Sequence, residues 1–306
     1  VQWLALTHSI PDPNALMIRT PARRIFHSGD WKLDEDPLVG HGYKPGTFKA
    51  LAEEGVTAMV CDSTNATVAG HSVSESTLEK GLLAAVDGAP ERVIVACFGS
   101  NIARLHTLAN VARATGRYMG LLGRSLINMA GDHLIPPAHL GYLPRDEVLA
   151  VATGSQGEPR TALRRMAMGS HPEVELEPGD RVIFSARAIP GNEDAIDALI
   201  ANLREQGVEV ITAEAADLPI HASGHPARDE LRAMYQWVQP DVAIPVHGEA
   251  EHMDAHADLA RNCGVPKALL GRNGDLFMIR PVPGMRRQVV ETGRLGWDKG
   301  ELVRVV

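Results

Sequence analysis

Six short runs of aliphatic and β-branched residues, apolar along nearly their whole length, recur through the chain. They are TAMVCD (57–62), RVIVACF (92–98), VLAVATG (148–154), DRVIFSA (180–186), VEVITA (208–213) and DVAIPVH (241–247). A strand with one wet face alternates apolar and polar residues. A continuous apolar run suits a strand buried on both faces, the condition of a parallel sheet covered by helices. Helical patterns lie between the runs. NEDAIDALIANLREQG (192–207) has Asn192 placed as N-cap and Gly207 just past its end. ARDELRAMYQWV (227–238) is a second, and AEHMDAHADLARNCG (250–264), a third, also closes on glycine. This alternation predicts an α/β fold with mostly parallel pairing. From 275 onward the tail reads as short antiparallel strands, and no internal repeat or low-complexity tract interrupts the pattern.

The 306 residues suffice for two domain-sized units or one composite domain. Apolar residues make up 44% and aromatics only 4%, so the core must rest on Ala, Val, Leu and Ile. No run approaches the ~18 apolar residues of a membrane span. The start, VQWLALTHSIPD, has neither a signal-peptide pattern nor an initiator Met, and reads as an internal stretch of a longer chain. Cys61, Cys97 and Cys263 are odd in number and far apart, which predicts free thiols and a reducing, cytoplasmic compartment. A net charge of −8 excludes a surface basic all over. A nucleic-acid partner would have to be attracted by a local groove or a bound metal.

The unusual polar residues fall at strand ends. Asp30 follows RIFHSG, Asp62 and His247 end their runs, and GSN (99–101), GSQGEP (154–159) and IPGN (189–192) follow three others. Functional loops of open α/β sheets gather outside the carboxyl ends of strands, so these turns predict one shared cleft. His8, Asp30, Asp62, His225 and His247 could together form a metal site of nitrogen and oxygen ligands. Taken singly, each is more often a cap or a solvated turn residue. His221 and Ser223 in HASGH, with Ser100 and Asn101, suit phosphate oxygens and serve turn chemistry equally well. Gly154 and Gly157 flank a Ser-Gln pair that could form an anion nest or simply join strand to helix. Arg160, Arg164 and Arg165 could track a nucleic-acid backbone, although a solvated helix face is the commoner explanation. His252 and His256 stand four apart on a helix with no accompanying ligand, which predicts surface residues. His27 should point away from Asp30 by strand alternation.

THSIPD (7–12), SGDWK (28–32), CDSTN (61–65), GSQGEP, IPGN, HASGH (221–225) and PVHGE (245–249), with FGSN and LGRS, occur in an order that resembles the ribonuclease J family. The resemblance covers nearly the whole chain. It implies the C-terminal portion of an αββα metallo-β-lactamase fold with an inserted α/β β-CASP domain, the lactamase segments being 1–75 and 218–306 and the insertion 76–217. It implies two divalent ions, Zn²⁺ with Mn²⁺ or Mg²⁺ as alternatives. His8 and His247 would be ligands, Asp30 the bridging carboxylate, Asp62 a support behind them, and His225 the stabiliser of the transition state. Ser100, Asn101, His221 and Ser223 would hold the 5′-monophosphate of single-stranded RNA. The implied activity is cytoplasmic 5′-to-3′ degradation of RNA with internal cleavage, by a homo-oligomer (dimer or tetramer) of the full-length protein. The family's His-x-His-x-Asp-His signature is absent from these 306 residues. The chain is therefore expected to be an internal fragment, inactive by itself. Two alternatives stand: a β-CASP nuclease acting on DNA or mRNA 3′ ends, and a non-catalytic RNA-binding or assembly subunit.

Overall fold

The computed structural model describes residues 1–130, 135–298 and 301–305. In chain order the strands are β1 (Gln2–Ala5), β2 (Asn14–Arg19), β3 (Arg24–His27), β4 (Ala58–Asp62), β5 (Val93–Ala96), β6 (Tyr118–Leu122), β7 (Val148–Ala152), β8 (Arg181–Phe184), β9 (Glu209–Thr212), β10 (Val242–Val246), β11 (Lys267–Ala268), β12 (Leu276–Met278), β13 (Gly284–Arg286), β14 (Arg294–Asp298) and β15 (Glu301–Val305). The helices are α1 (Pro45–Glu54), α2 (Glu79–Val86), α3 (Ile102–Ala114), α4 (Arg124–Ala130), α5 (Pro137–Leu140), α6 (Ala162–Ala167), α7 (Glu193–Glu205), α8 (Arg228–Val238) and α9 (Ala250–Asn262).

All six apolar runs are strands with parallel partners, but they divide between two sheets. One sheet has the order β1-β2-β3-β4-β10-β11 and is parallel from β3 onward. The other, β6-β7-β5-β8-β9, is parallel throughout. The strand ends expected to line one cleft thus come from two sets. β6 was not among the six runs because Gly120 and Tyr118 dilute its apolar character. The tail forms the antiparallel pairs β12–β13 and β14–β15.

Burial explains the continuous runs. On β5, Val93 and Val95 join Leu82, Leu108 and Ile183 in a core on one face of the second sheet. Ile94 and Ala96 join Leu163, Leu199 and Leu203 on the other. Successive side chains point to opposite faces, so a strand covered by helices on both needs apolar residues at every position. The first sheet packs Phe26 and Met59 against Phe48, Leu231, Tyr235 and Leu259 of α1, α8 and α9. Among the described residues no helix is long and apolar enough to cross a membrane.

The segment entering HASGH is anchored in the second sheet's domain. Ile220 and Ala222 are buried in its core, whereas His221 and Ser223 are only half-buried. Behind it, α2 approaches so closely that a Cβ on Gly81 would lie 2.1 Å from the Pro219 carbonyl oxygen. Asn192 occupies the N-cap of α7, yet its side chain makes no capping bond and instead reaches Gln156. Gly207 follows the end of α7 with φ of 76°.

Candidate metal and phosphate site

Three histidine rings from distant parts of the chain meet where β4 and β10 end. His225 lies between His8 and His247, with ring centroids 5.4 Å from each. Asp30, carried by the turn after β3, places Oδ1 3.6 Å from His247 Nε2. Two triads, His8–Asp30–His225 and Asp62–His225–His247, each have ligand atoms within 4.8 Å of one another.

The loops are held in place by local bonds. Asp62 is buried at the end of β4 and accepts hydrogen bonds from Thr64 N and Oγ1, while its other oxygen lies 2.7 Å from His225 Nδ1. These bonds, His225 foremost, outweigh the cost of burial and lower the Asp62 pKa. Burial likewise opposes the charged form of His225, but the Asp62 hydrogen bond and charge prevail and raise its pKa. Thr64 Oγ1 also donates to the His247 carbonyl at 3.0 Å. That contact steadies a non-glycine residue at φ of 58°, the kind of strained backbone that concentrates at functional sites. Asn65 Nδ2 donates to Ser223 Oγ and to the His225 carbonyl, which ties HASGH to the loop after β4.

A divalent cation suits this donor set. His8 Nε2 is buried and has no hydrogen-bond partner, although buried polar atoms are normally satisfied. Burial, aided by neighbouring His225, lowers the His8 pKa to about 4, so the ring is neutral at physiological pH. On its other side His8 Nδ1 accepts the Ser9 N–H at 2.7 Å, with Ser9 Oγ 3.1 Å away. Gly224 is part of the fit: a Cβ there would come 2.5 Å from His8 Cε1. His27 is outside both triads and accepts the Gly29 N–H instead.

The residues read as phosphate binders come from the loop after β5 and the segment after β9. His221 Nδ1 is buried without a partner. Ser100 is exposed at the N-terminus of α3. Asn101 is occupied locally: Oδ1 caps α3 by accepting Arg104 N–H, and Nδ2 donates to Glu75. Arg104 is fully buried, paired with Glu75, and donates to the Ser185 carbonyl and hydroxyl and to the Ile220 carbonyl. It ties α3, the loop after β8 and the segment before His221 into one unit. Lys32, also buried, reaches Asp34 at 3.1 Å and the Val73 carbonyl. Sequence reasoning assigned no role to Arg104 or to Lys32. The only trace was the place of Lys32 inside SGDWK.

One expectation is corrected. His256 is not a surface residue: it is fully buried, with Nδ1 2.8 Å from Ser63 Oγ and Nε2 2.8 Å from the Tyr235 hydroxyl. His252 accepts the Glu249 N–H at the start of α9. Neither belongs to a metal-type cluster among the described residues. Gln156 of GSQGEP is buried and binds the loop after β8 rather than an open nest. The flanking strand ends border a cavity of about 900 Å³ lined in part by Arg124, Arg160 and Arg165. The cysteines are free, with Cys61 and Cys97 buried.

Comparison with known proteins shows what the chain is similar to. Residues 90–203 match the family model described as Ribonuclease J, beta-CASP domain. Residues 219–269 match the Zn-dependent metallo-hydrolase RNA specificity domain. A curated protein named Ribonuclease J from Sinorhizobium meliloti is 42% identical, the alignment covering 97% of this chain and 54% of that protein. Ribonuclease J 1 of Streptococcus pyogenes is 39% identical over 91% of this chain and 52% of its own length. Ribonuclease J of Helicobacter pylori is 34% identical over 96% and 44%. The chain thus spans about half the length of the curated relatives it matches. A crystal structure of a protein of unknown function from Enterococcus faecalis shares the fold, with a TM-score of 0.55 at 15% identity, covering 88% of this chain and 61% of that one.

Proposed function

The chain belongs to the ribonuclease J family, and we propose that it contributes part of the metal centre and the 5′-end pocket of a metal-dependent ribonuclease. In this reading residues 1–75 and 218–306 are lactamase-fold segments and 76–217 the β-CASP insertion. The observation that carries the proposal is the meeting of His8, Asp30, His225 and His247, with a bare buried nitrogen on His8. His8, Asp30 and His247 would hold a divalent pair, Zn²⁺ by the donor set, with Mn²⁺ or Mg²⁺ as alternatives. When bound, such a pair supplies Lewis acidity to the phosphoryl oxygens and lowers the pKa of an attacking water.

The chain's own residues do the rest. Asp62 accepts the His225 Nδ1 proton and so aims Nε2 into the site. Because Asp62 raises its pKa, His225 can carry a proton beside the charge that develops on phosphorus-bound oxygens. His221 and Ser223, with Ser100 and Asn101 at the head of α3, would hold the terminal phosphate of single-stranded RNA. An end held there presents the first phosphodiester for 5′-to-3′ degradation, while internal cleavage uses the metal centre without the end pocket.

The test is His247→Ala in the full-length protein. Bound metal should fall, and end-dependent and internal cleavage should disappear together while RNA binding persists. Cleavage at the normal rate would refute the assignment. RNA binding without metal or cleavage in the unmutated protein would instead favour a non-catalytic RNA-binding subunit.

A further inference from the structure

We propose that His256 is a positioning residue of the metal centre: protonated on Nδ1, it holds the Ser63 hydroxyl and, through Ser63, the turn that carries Asp62 and Thr64. This rests on the metal-site reading above and adds a buried support behind it.

β4 and β10 are parallel neighbours, with Asp62 opposite Val246, so the turns that follow them leave the sheet side by side. Thr64 Oγ1 joins them by donating to the His247 carbonyl at 3.0 Å. Deeper in, a Cβ on Gly248 would lie 3.1 Å from Ser63 Cβ, so the main chain after His247 rests directly on Ser63. Ser63 is fully buried and sets its hydroxyl 2.8 Å from His256 Nδ1. His256 belongs to α9, the helix that follows the His247 turn. The contact therefore closes a ring of structure, from His247 through α9 and back to the residue after Asp62. On the far side of the imidazole, Nε2 lies 2.8 Å from the Tyr235 hydroxyl of α8.

Counting protons selects the tautomer. A neutral imidazole has one N–H and one bare nitrogen. If Nε2 carried the proton it would donate to Tyr235, and the tyrosine's own O–H would need another acceptor. Tyr235 is buried, and its oxygen has no other hydrogen-bond partner among the described residues. If Nδ1 carries the proton, Tyr235 donates to Nε2 and Nδ1–H donates to Ser63. The Ser63 proton then turns to the Cys61 carbonyl, a long contact of 3.5 Å. Leaving a buried donor without a partner is the costlier fault, so the second arrangement is favoured. The donors then run in one direction, from α8 through α9 into the end of β4. With its hydroxyl fixed, Ser63 holds the main chain between two residues that touch the site. Asp62 lies 2.7 Å from His225 Nδ1, and Thr64 steadies His247. His256 itself touches none of the proposed ligands and acts through Ser63.

The experiment uses the full-length protein and two readouts that core packing alone would not move. Zinc affinity is measured by chelator competition, under conditions where urea curves show each variant folded. Ser63→Ala should weaken zinc binding about tenfold, the low end of the loss when an outer partner of a metal ligand is removed. Tyr235→Phe should weaken it less, because the Ser63 bond survives while the tautomer is no longer selected. The second readout is nitrogen NMR of histidine-labelled, metal-free protein at neutral pH. The His256 signals, identified by their loss in His256→Gln, should show the Nδ1–H pattern, and Tyr235→Phe should show a mixture of tautomers. Ser63→Ala with a lowered urea midpoint but the zinc affinity of the unmutated protein would reduce His256 to core packing and overturn the proposal. An Nε2–H pattern in the unmutated protein would overturn it as well. If instead His247→Ala leaves zinc affinity unchanged, the metal-site reading itself fails, and the positioning role with it.

Discussion

His256 offers the most direct test of how the metal-site loops are supported. It is fully buried between Ser63, which follows Asp62, and Tyr235 of α8. A neutral ring has one donor and one acceptor, enough for the two hydroxyls. A protonated ring would be a buried cation with no carboxylate bonded to it. Burial accordingly lowers the His256 pKa from 6.5 to about 4. Between those values the unfolded chain binds the proton and the folded one does not, so stability falls as pH drops from 6.5 towards 4 and levels off below. The linkage amounts to about 2 kcal/mol at pH 5 and about 3 kcal/mol at pH 4. His256→Gln keeps hydrogen-bonding capacity but cannot titrate. Urea unfolding of the full-length protein and this variant, in chelator from pH 7.5 to 4.5, should show the unmutated protein losing about 2 kcal/mol more by pH 5. His8 and His221, whose pKa values are lowered to about 4 and about 3, contribute equally to both proteins and cancel. Parallel pH profiles would show that His256 is not held neutral and would refute the reasoning.

Gly224→Ala should weaken zinc binding about 10- to 100-fold by displacing the His8 ring; chelator competition measures it, with Gly42→Ala, whose Cβ meets nothing within 4 Å, as control. Unchanged affinity would remove His8 from the metal centre. Glu230→Gln should cost about 1–3 kcal/mol of stability, because the buried carboxylate accepts N–H groups from Leu33, Ser72 and Ala227 and an amide presents only one oxygen. A urea midpoint equal to that of the unmutated protein would contradict it.

The strands were legible because burial on both faces demands an uninterrupted apolar run, and strand-end position then singled out Asp30, Asp62 and His247. Their meeting could not be read from spacing. It depends on the turn at Gly29, on the φ of His247 and on Thr64, none of which leaves a periodic trace. His256 was misread for a definite reason. Its i, i+4 relation to His252 drew the eye, whereas its more telling neighbours are Leu259 and Ala260, buried at i+3 and i+4 on the same helix. A polar residue on that apolar stripe signals a satisfied core group. Asn192 shows the opposite error, since a good cap residue in the cap position spends its side chain on Gln156.

The arrangement of HASGH explains why end binding and chemistry would share one short segment. Ile220 and Ala222 are locked into the core of the second sheet, while Ser223 and His225 are bonded to Asn65, and His225 also to Asp62, beside the first. The segment is thus anchored to the second sheet's core at one end and to the loop after β4 at the other. Gly81 presses on its start and Arg104 holds Ile220, so its first half is set from the second sheet's side. A shift of that domain would therefore pull Ile220 and Ala222 against Ser223 and His225, which the loop after β4 holds. The buried Arg104–Glu75 pair opposes such a shift, and losing one partner would leave an uncompensated buried charge that costs about 3–5 kcal/mol. Under the proposed function, an ion pair outside both triads would thus help to hold the end pocket against the metal centre.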